Sequence, residues 1–224
     1  GNCRDSGRGI LVQMTAFYKD GSKQVITNSG VENSGWKTLD GTHAFGDKGD
    51  GIGTGYVTLL HENINAKEYP EGFYNVAFDD SKWAPAKISQ SVADRAQGTE
   101  GRVLTPYSSE NPLRIETKEK SKKIYENGQG NIVVDLGKEI IGGMKVNISS
   151  SKEQSVTIHM GEEMNADDTV KWQLSASPKY EDTWSLKKDN NAFETVTMRN
   201  FRYVEFIGLD TATKEYIIQN PDCV

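Results

Sequence analysis

Carboxylates are the commonest reactive groups in this chain, with 32 Asp and Glu against 26 Lys and Arg. Hydrolysis of a glycosidic bond needs two of them flanking that bond, about 5–5.5 Å apart for retention or roughly 6.5–9.5 Å for inversion. Glu162 and Glu163 are adjacent after Gly161. Neighbours on a strand point to opposite faces, so such a pair cannot easily work on one bond, and solvated turn residues are the expected reading. The run His61-Glu62-Asn63-Ile64-Asn65-Ala66-Lys67-Glu68 is denser in oxygen donors. Two readings stand for it: hydrogen bonding within a loop, or a hard-cation site of the kind calcium fills with six to eight oxygens. Glu62, Asn65 and Asp79 are the candidate metal ligands. In Phe78-Asp79-Asp80-Ser81-Lys82-Trp83 the side-chain oxygens suit closure of a turn on its own amides, with the Trp folding over it.

Other chemistries find little support. His43, His61 and His159 show no ligand spacing. There is no Gly-x-Ser-x-Gly elbow, no His-Glu-x-x-His helix and no Cys paired with a plausible His. Cys3 and Cys223 lie at opposite ends of the 224 residues and could bridge only if the termini meet; free thiols are the expected state. A net charge of -6 argues against a nucleic-acid backbone as partner. No apolar run approaches the roughly 20 residues of a spanning helix, and 4 Trp, 9 Tyr and 7 Phe argue against disorder. The start, Gly1-Asn2-Cys3-Arg4-Asp5, is not a signal peptide, so the chain is expected to be a mature form or a piece of something larger.

The elements available to position these groups are mostly strands. Val156, Ile158 and Met160 alternate with Thr157 and His159, as Met144, Val146 and Ile148 do with Lys145 and Asn147. Ile132–Val134, Val204–Ile207 and Tyr216–Ile218 are further strand-like runs, separated by Gly137, Gly142-Gly143, Ser149–Ser151, Gly161 and Asp189-Asn190-Asn191. In the first half Gly9–Phe17, Gln24–Thr27, Tyr56–Leu60 and Phe73–Phe78 are expected strands, and Ser91–Gln97 a short helical turn. The glycine-dense Gly46–Gly55 fits neither a phosphate-binding loop nor an EF-hand and reads as a hairpin or barrel-rim loop. Short strands with regular turn signals indicate an all-β chain of two consecutive β-sandwiches. The polar, proline-containing Leu104–Pro112 places their boundary near residue 105, giving domains of residues 1–104 and 105–224.

Five motifs occur in order over the second half: Val134-Asp135-Leu136-Gly137, Ile141-Gly142-Gly143, Gly161-Glu162-Glu163, Tyr180-Glu181-Asp182-Thr183-Trp184 and Phe201-Arg202-Tyr203-Val204-Glu205. Together they resemble the β-sandwich that precedes the catalytic barrel in bacterial α-L-rhamnosidases of glycoside hydrolase family 78. Trp36-Lys37, Glu62–Glu68, Gly72-Phe73, Phe78-Asp79-Asp80-Ser81-x-Trp83 and Ala86 are similar to the N-terminal jelly-roll (galactose-binding-like) domain of the same enzymes. Asn65 stands where the family has Asp, and Lys67 where it has Arg.

The resemblance implies a non-catalytic accessory region. It would support a catalytic (α/α)-barrel of the same polypeptide, be inactive alone, be secreted or periplasmic, and serve an enzyme of rhamnose-containing carbohydrate. Some relatives of the jelly-roll bind rhamnose with calcium, so calcium is the one expected cofactor. Sugar recognition of this kind uses an aromatic face plus amide and carboxylate hydrogen bonds; Trp36, Tyr56, Asn65 and Trp172 are the candidate residues. A scaffold without ligand is the first alternative, and a small self-contained glycosidase using Glu62 and Glu163 the second.

Overall fold

The computed structural model describes residues 12–28, 33–45, 52–54, 57–59, 61–88, 119–173 and 179–224. They divide between two compact units, one formed by Gly1–Leu39 with Asp79–Ile115 and the other by Asp40–Phe78 with Glu116–Val224. The division is discontinuous, where a single cut near residue 105 was expected; that position itself lies outside the described residues.

In the first unit β1 (Gln13–Phe17) and β2 (Lys23–Asn28) form an antiparallel hairpin. β3 (Lys37–Thr38) pairs with a strand at Ala84–Pro85. Tyr18 N–H donates to the Ser22 carbonyl at 2.9 Å, and Gly21, at φ 83°, supplies the left-handed residue the hairpin turn requires.

The second unit begins with α1 (Thr42–Phe45) and the hairpin of β4 (Ile52–Thr54) with β5 (Val57–Leu59). Following β6 (Ala84–Pro85) of the first unit, its main body comprises seven strands: β7 (Lys123–Glu126), β8 (Ile132–Gly142), β9 (Lys145–Ser150), β10 (Gln154–Gly161), β11 (Glu181–Leu186), β12 (Asp189–Glu194) and β13 (Arg199–Ile207). Five form a sheet in the order β11-β10-β13-β8-β7, and β12-β9 form a two-stranded ribbon. Every pairing is antiparallel.

The expected alternation is what fills the core. Val156, Ile158 and Met160 of β10 are buried with Trp184 and Leu186 of β11 and Val204 and Phe206 of β13, against Val146, Ile148 and Phe193 of the ribbon. Trp184 meets Phe193 edge-on at 4.9 Å and 88°, and Phe206 at 5.9 Å and 72°, tying the ribbon to the sheet. The all-β sandwich read from the pattern is thus the observed class.

Two expected strands fold otherwise. Tyr216–Ile218 lies in α2 (Thr211–Gln219), because the Asp210 carboxylate caps it by accepting the Thr213 N–H at 2.8 Å, while Ile217 fills the core. Phe73–Phe78 is a chain of turns, with Phe73 N–H donating to Pro70, Asn75 to Gly72 and Phe78 to Asn75. Gly72, at φ 77°, has left the extended region where such a strand would have to begin. The Gly9 end of the first strand and Ser91–Gln97 lie outside the described residues.

The last residues close the sandwich. Cys223, in a 3-10 turn (Pro221–Cys223), is a free, buried cysteine that joins the core; Cys3 is outside the described residues. Burial pushes the Cys223 thiol up to about 11. In a Cys3→Ser chain at pH 8, Cys223 should therefore label with a thiol reagent roughly two orders of magnitude more slowly than in denaturant. Equal rates would contradict its burial. An unfolded thiol loses its proton first, so this contribution to stability holds below about 9 and is lost as pH rises towards about 11.

Candidate functional site

The donor-rich run at 61–69 is neither an open loop nor a set of converging ligands. It lies along the outer edge of β11. Ser185 N–H donates to the Ile64 carbonyl at 2.8 Å, and Ala66 N–H returns to the Ser185 carbonyl at 2.9 Å. The Asn63 side-chain oxygen accepts the Thr183 N–H at 2.8 Å, and His61 Nδ1 donates to the Glu181 carbonyl. Asn65 and Ser185 form a parallel bridge. The segment is a strap that covers a sheet edge otherwise left with unpaired backbone groups. Ile64, Ala66 and Tyr69 complete its attachment by entering the core.

Glu62 is the clasp of this strap. Only 6% exposed, its carboxylate accepts the Val196 N–H at 2.7 Å and the Thr197 N–H at 2.8 Å. Its own N–H donates to Asp182 Oδ1 at 2.8 Å, and its carbonyl accepts from Trp184 Nε1 at 3.2 Å. Both carboxylate oxygens thus hold backbone amides, which gives the residue a structural task. Glu62→Gln replaces one acceptor by an NH2 facing an N–H, and should lower the unfolding free energy by about 1–3 kcal/mol in a denaturant titration. An unchanged midpoint would remove the clasp.

Beside it lies a buried ion pair. Arg199 and Asp182 have side chains 1% and 0% exposed, joined twice, Nη1 to Oδ2 at 2.6 Å and Nη2 to Oδ1 at 2.9 Å. The guanidinium also lies over the Tyr180 ring, 5.7 Å from its centroid. The Tyr-x-Asp-x-Trp motif is therefore a joint: Tyr180 and Asp182 hold Arg199 of β13, and Trp184 fills the core.

The other motifs are joints too. Asp135 takes the Arg202 guanidinium at 2.8 and 3.1 Å where the β8–β13 register shifts, and accepts the Gly137 N–H at 2.6 Å. The bond from Arg202 holds the Asp135 carboxyl below the usual range, against the opposing effect of burial, with the Gly137 amide adding to it. Glu205 is fully buried and accepts from the Asn127 and Asn131 amides and from the Val170 N–H, each at 2.9 Å. It pins the 163–171 loop over the outer face of the sheet. Gly161 lets that loop cross, since a Cβ there would sit 2.4 Å from the Lys171 carbonyl oxygen. Glu163 is an exposed turn residue whose Lys171 partner, at 2.7 Å, holds its carboxyl low.

The remaining sequence candidates scatter. Trp36 is half-buried in the first unit, its Nε1 donating to Thr27 Oγ1 at 2.7 Å. Tyr56 lies outside the described residues. Asp79 closes the expected turn, accepting the Ser81 N–H at 3.0 Å; the Ser81 hydroxyl and then its amide hold that carboxyl below the usual range. The proposed metal set is divided, because Asp79 belongs to the first unit and Glu62 and Asn65 to the second. Among the described residues no group of three or more His, Cys, Asp or Glu is arranged to hold a metal ion.

Asn65 and Trp172 each line an open cleft. Asn65 borders one of about 380 Å³ with Lys67, Glu153, Gln154 and Ser185. Trp172 borders another of about 460 Å³ with Asn165, Lys171 and Gln173. Behind Trp172 stands His159, missed in the sequence, its ring stacked at 4.5 Å and 21° and its Nε2 donating to Glu181 Oε2 at 2.8 Å. His159 and Glu181 are directly opposite on β10 and β11. Assigning those strands as neighbours would have exposed the pair.

The joints coincide with a match to known proteins. Residues 125–220 match the bacterial alpha-L-rhamnosidase concanavalin-like domain. Over that stretch the chain is similar to a domain of bacterial α-L-rhamnosidases. The chain is 26% identical over 206 residues to an α-L-rhamnosidase of Streptomyces avermitilis, covering 89% of this chain and 17% of that protein. The crystal structure of the Streptomyces avermitilis enzyme complexed with L-rhamnose superposes with a TM-score of 0.54 at 22% identity, over 90% of this chain and 18% of that one. That of the enzyme from Dictyoglumus thermophilum gives 0.53 at 21% identity, over 89% and 20%. The fold is shared, and the chain spans about a sixth to a fifth of these relatives' lengths. No described helix is long and apolar enough to cross a membrane.

Proposed function

We propose that this chain is the non-catalytic β-sandwich region of an α-L-rhamnosidase acting on rhamnose-containing glycans, built to support a catalytic (α/α)-barrel of the same polypeptide. The observation that carries this reading is the use made of the matched motifs. Asp135, Asp182, Glu205 and the strap's Glu62 are all engaged in holding strands and loops together, and none faces another carboxylate across an open cleft. The relatives of known activity, of which the chain spans a small part, supply the reaction and the substrate class.

The test is turnover. The purified chain, shown to be folded by a cooperative melt, is expected to release no aryl alcohol from an aryl α-L-rhamnoside. Measurable turnover that disappears in Glu163→Gln, an exposed residue outside the fold's joints, would replace this reading with that of a self-contained glycosidase.

A further inference from the structure

Trp172 differs from Trp36 and Trp184 in what surrounds it. Trp184 is fully buried, and Trp36 spends its N–H on Thr27. Trp172 is half-buried, with a cleft of about 460 Å³ beside it. Its ring is fixed from behind. His159 stacks on it, Glu181 holds His159, and His61 of the strap holds the Glu181 carbonyl. The backbone is fixed as well, since Tyr180 N–H donates to the Trp172 carbonyl at 3.0 Å and Gln173 bridges to Lys179. A rigid aromatic edge loses little freedom when a ligand packs on it.

The polar groups around the ring are of two kinds. Asn165 and Gln173 present amides; Asn165 commits one N–H to Thr169 Oγ1 at 3.0 Å, which leaves its carbonyl oxygen available. Of the two lysines, Lys171 is neutralised by Glu163 at 2.7 Å. Lys179 does not line the cleft itself but is exposed beside it, its Nζ over the Trp172 ring at 6.0 Å from the centroid, with no carboxylate partner among the described residues. An apolar ring surface, neutral amides and one ammonium without a carboxylate partner among the described residues are complementary to a sugar that carries a carboxylate. The ring packs against C–H groups, the amides take hydroxyls, and the lysine takes the acid.

We infer that the Trp172 cleft is a binding site for an acidic sugar unit, a hexuronate residue of a glycan, with Lys179 as the residue that selects the acid. The site goes beyond the support role proposed above and does not depend on it.

A matched pair of ligands tests it. Methyl β-D-glucuronide and methyl β-D-glucoside are titrated into the full chain, following the indole N–H signals by NMR, with Trp172 assigned from Trp172→Phe. The glucuronide should shift the Trp172 signal with a millimolar dissociation constant, about threefold to fivefold tighter than the glucoside, the range a single exposed ion pair supplies. Lys179→Met should erase that difference and leave glucoside binding unchanged; Trp172→Ala, with an unaltered melt, should abolish both. No shift with either sugar overturns the site. A preference for the acid that survives Lys179→Met overturns the role of Lys179. If Trp172→Ala fails to fold, the exposed Lys179 variant alone decides.

Discussion

Replacing Arg199 by Met should lower the unfolding free energy by about 3–5 kcal/mol, because it strands the Asp182 carboxylate in the interior without its partner. That carboxylate is completely buried and would keep only the Glu62 N–H, at 2.8 Å, as a strong donor. Asp182→Leu should cost as much from the other side, since the guanidinium would retain the Tyr180 face and the weak contact of Nη1 with the Met160 sulfur at 3.7 Å. The double variant should recover most of the loss, as replacing both charges by apolar groups removes the desolvation cost along with the attraction. Denaturant midpoints of the four chains give the coupling. Strict additivity of the two single losses would show that the pair is not one unit.

Trp184→Ala should be about as damaging, at about 3–5 kcal/mol. This indole has no exposed surface, meets Phe193 of the ribbon and Phe206 of the main sheet, and donates to the Glu62 carbonyl of the strap. Its removal opens a cavity where three layers converge. Trp184→Phe separates the contributions: it keeps most of the apolar contact and loses the hydrogen bond, so its loss should fall well below that of Ala. If Phe costs as much as Ala in thermal or denaturant unfolding, the ring's packing between the sheets is not what holds this region.

The sandwich was legible wherever one strand face was buried and the other wet. Val156, Ile158 and Met160 alternate so cleanly that β10 could be read with its inward face, and Val146 and Ile148 did the same for β9. Short apolar runs misled where a local signal outweighed them. Ile217 and its neighbours look strand-like, yet the Asp210 cap and the core contact of Ile217 make a helix. Asp189-Asn190-Asn191 looks like a plain turn but opens β12, since the Asn191 side-chain oxygen accepts the Lys187 N–H at 2.8 Å and its NH2 donates to Ile148 O at 3.2 Å, closing the β11–β12 turn from within the strand.

Least legible was the strap. Its polar residues gave the composition of a binding loop, and the backbone partners that explain them lie 120 residues or so away. No periodicity reports a parallel addition of that range. The same distance hid the discontinuous units, since Asp40–Phe78 belongs with the second half of the chain through contacts of that range. Of the residues expected to hold sugar, Asn65 and Trp172 each border an open cleft. His159 and Glu181 behind the Trp172 ring, and Lys179 near it, required the strand register.

The polar run at 61–69 completes the sandwich as structure. Native-state hydrogen exchange reads it directly at four amides: Thr183 and Ser185, which donate to the strap, and Val196 and Thr197, which donate to Glu62. All four should be protected in the wild-type chain, Thr183 and Ser185 nearly as strongly as the inner strands, and in Glu62→Gln the Val196 and Thr197 amides should lose protection first. Rapid exchange of all four in the wild-type chain would mean that the strap is not held on β11, and the Glu62–Glu68 run would again be an open loop.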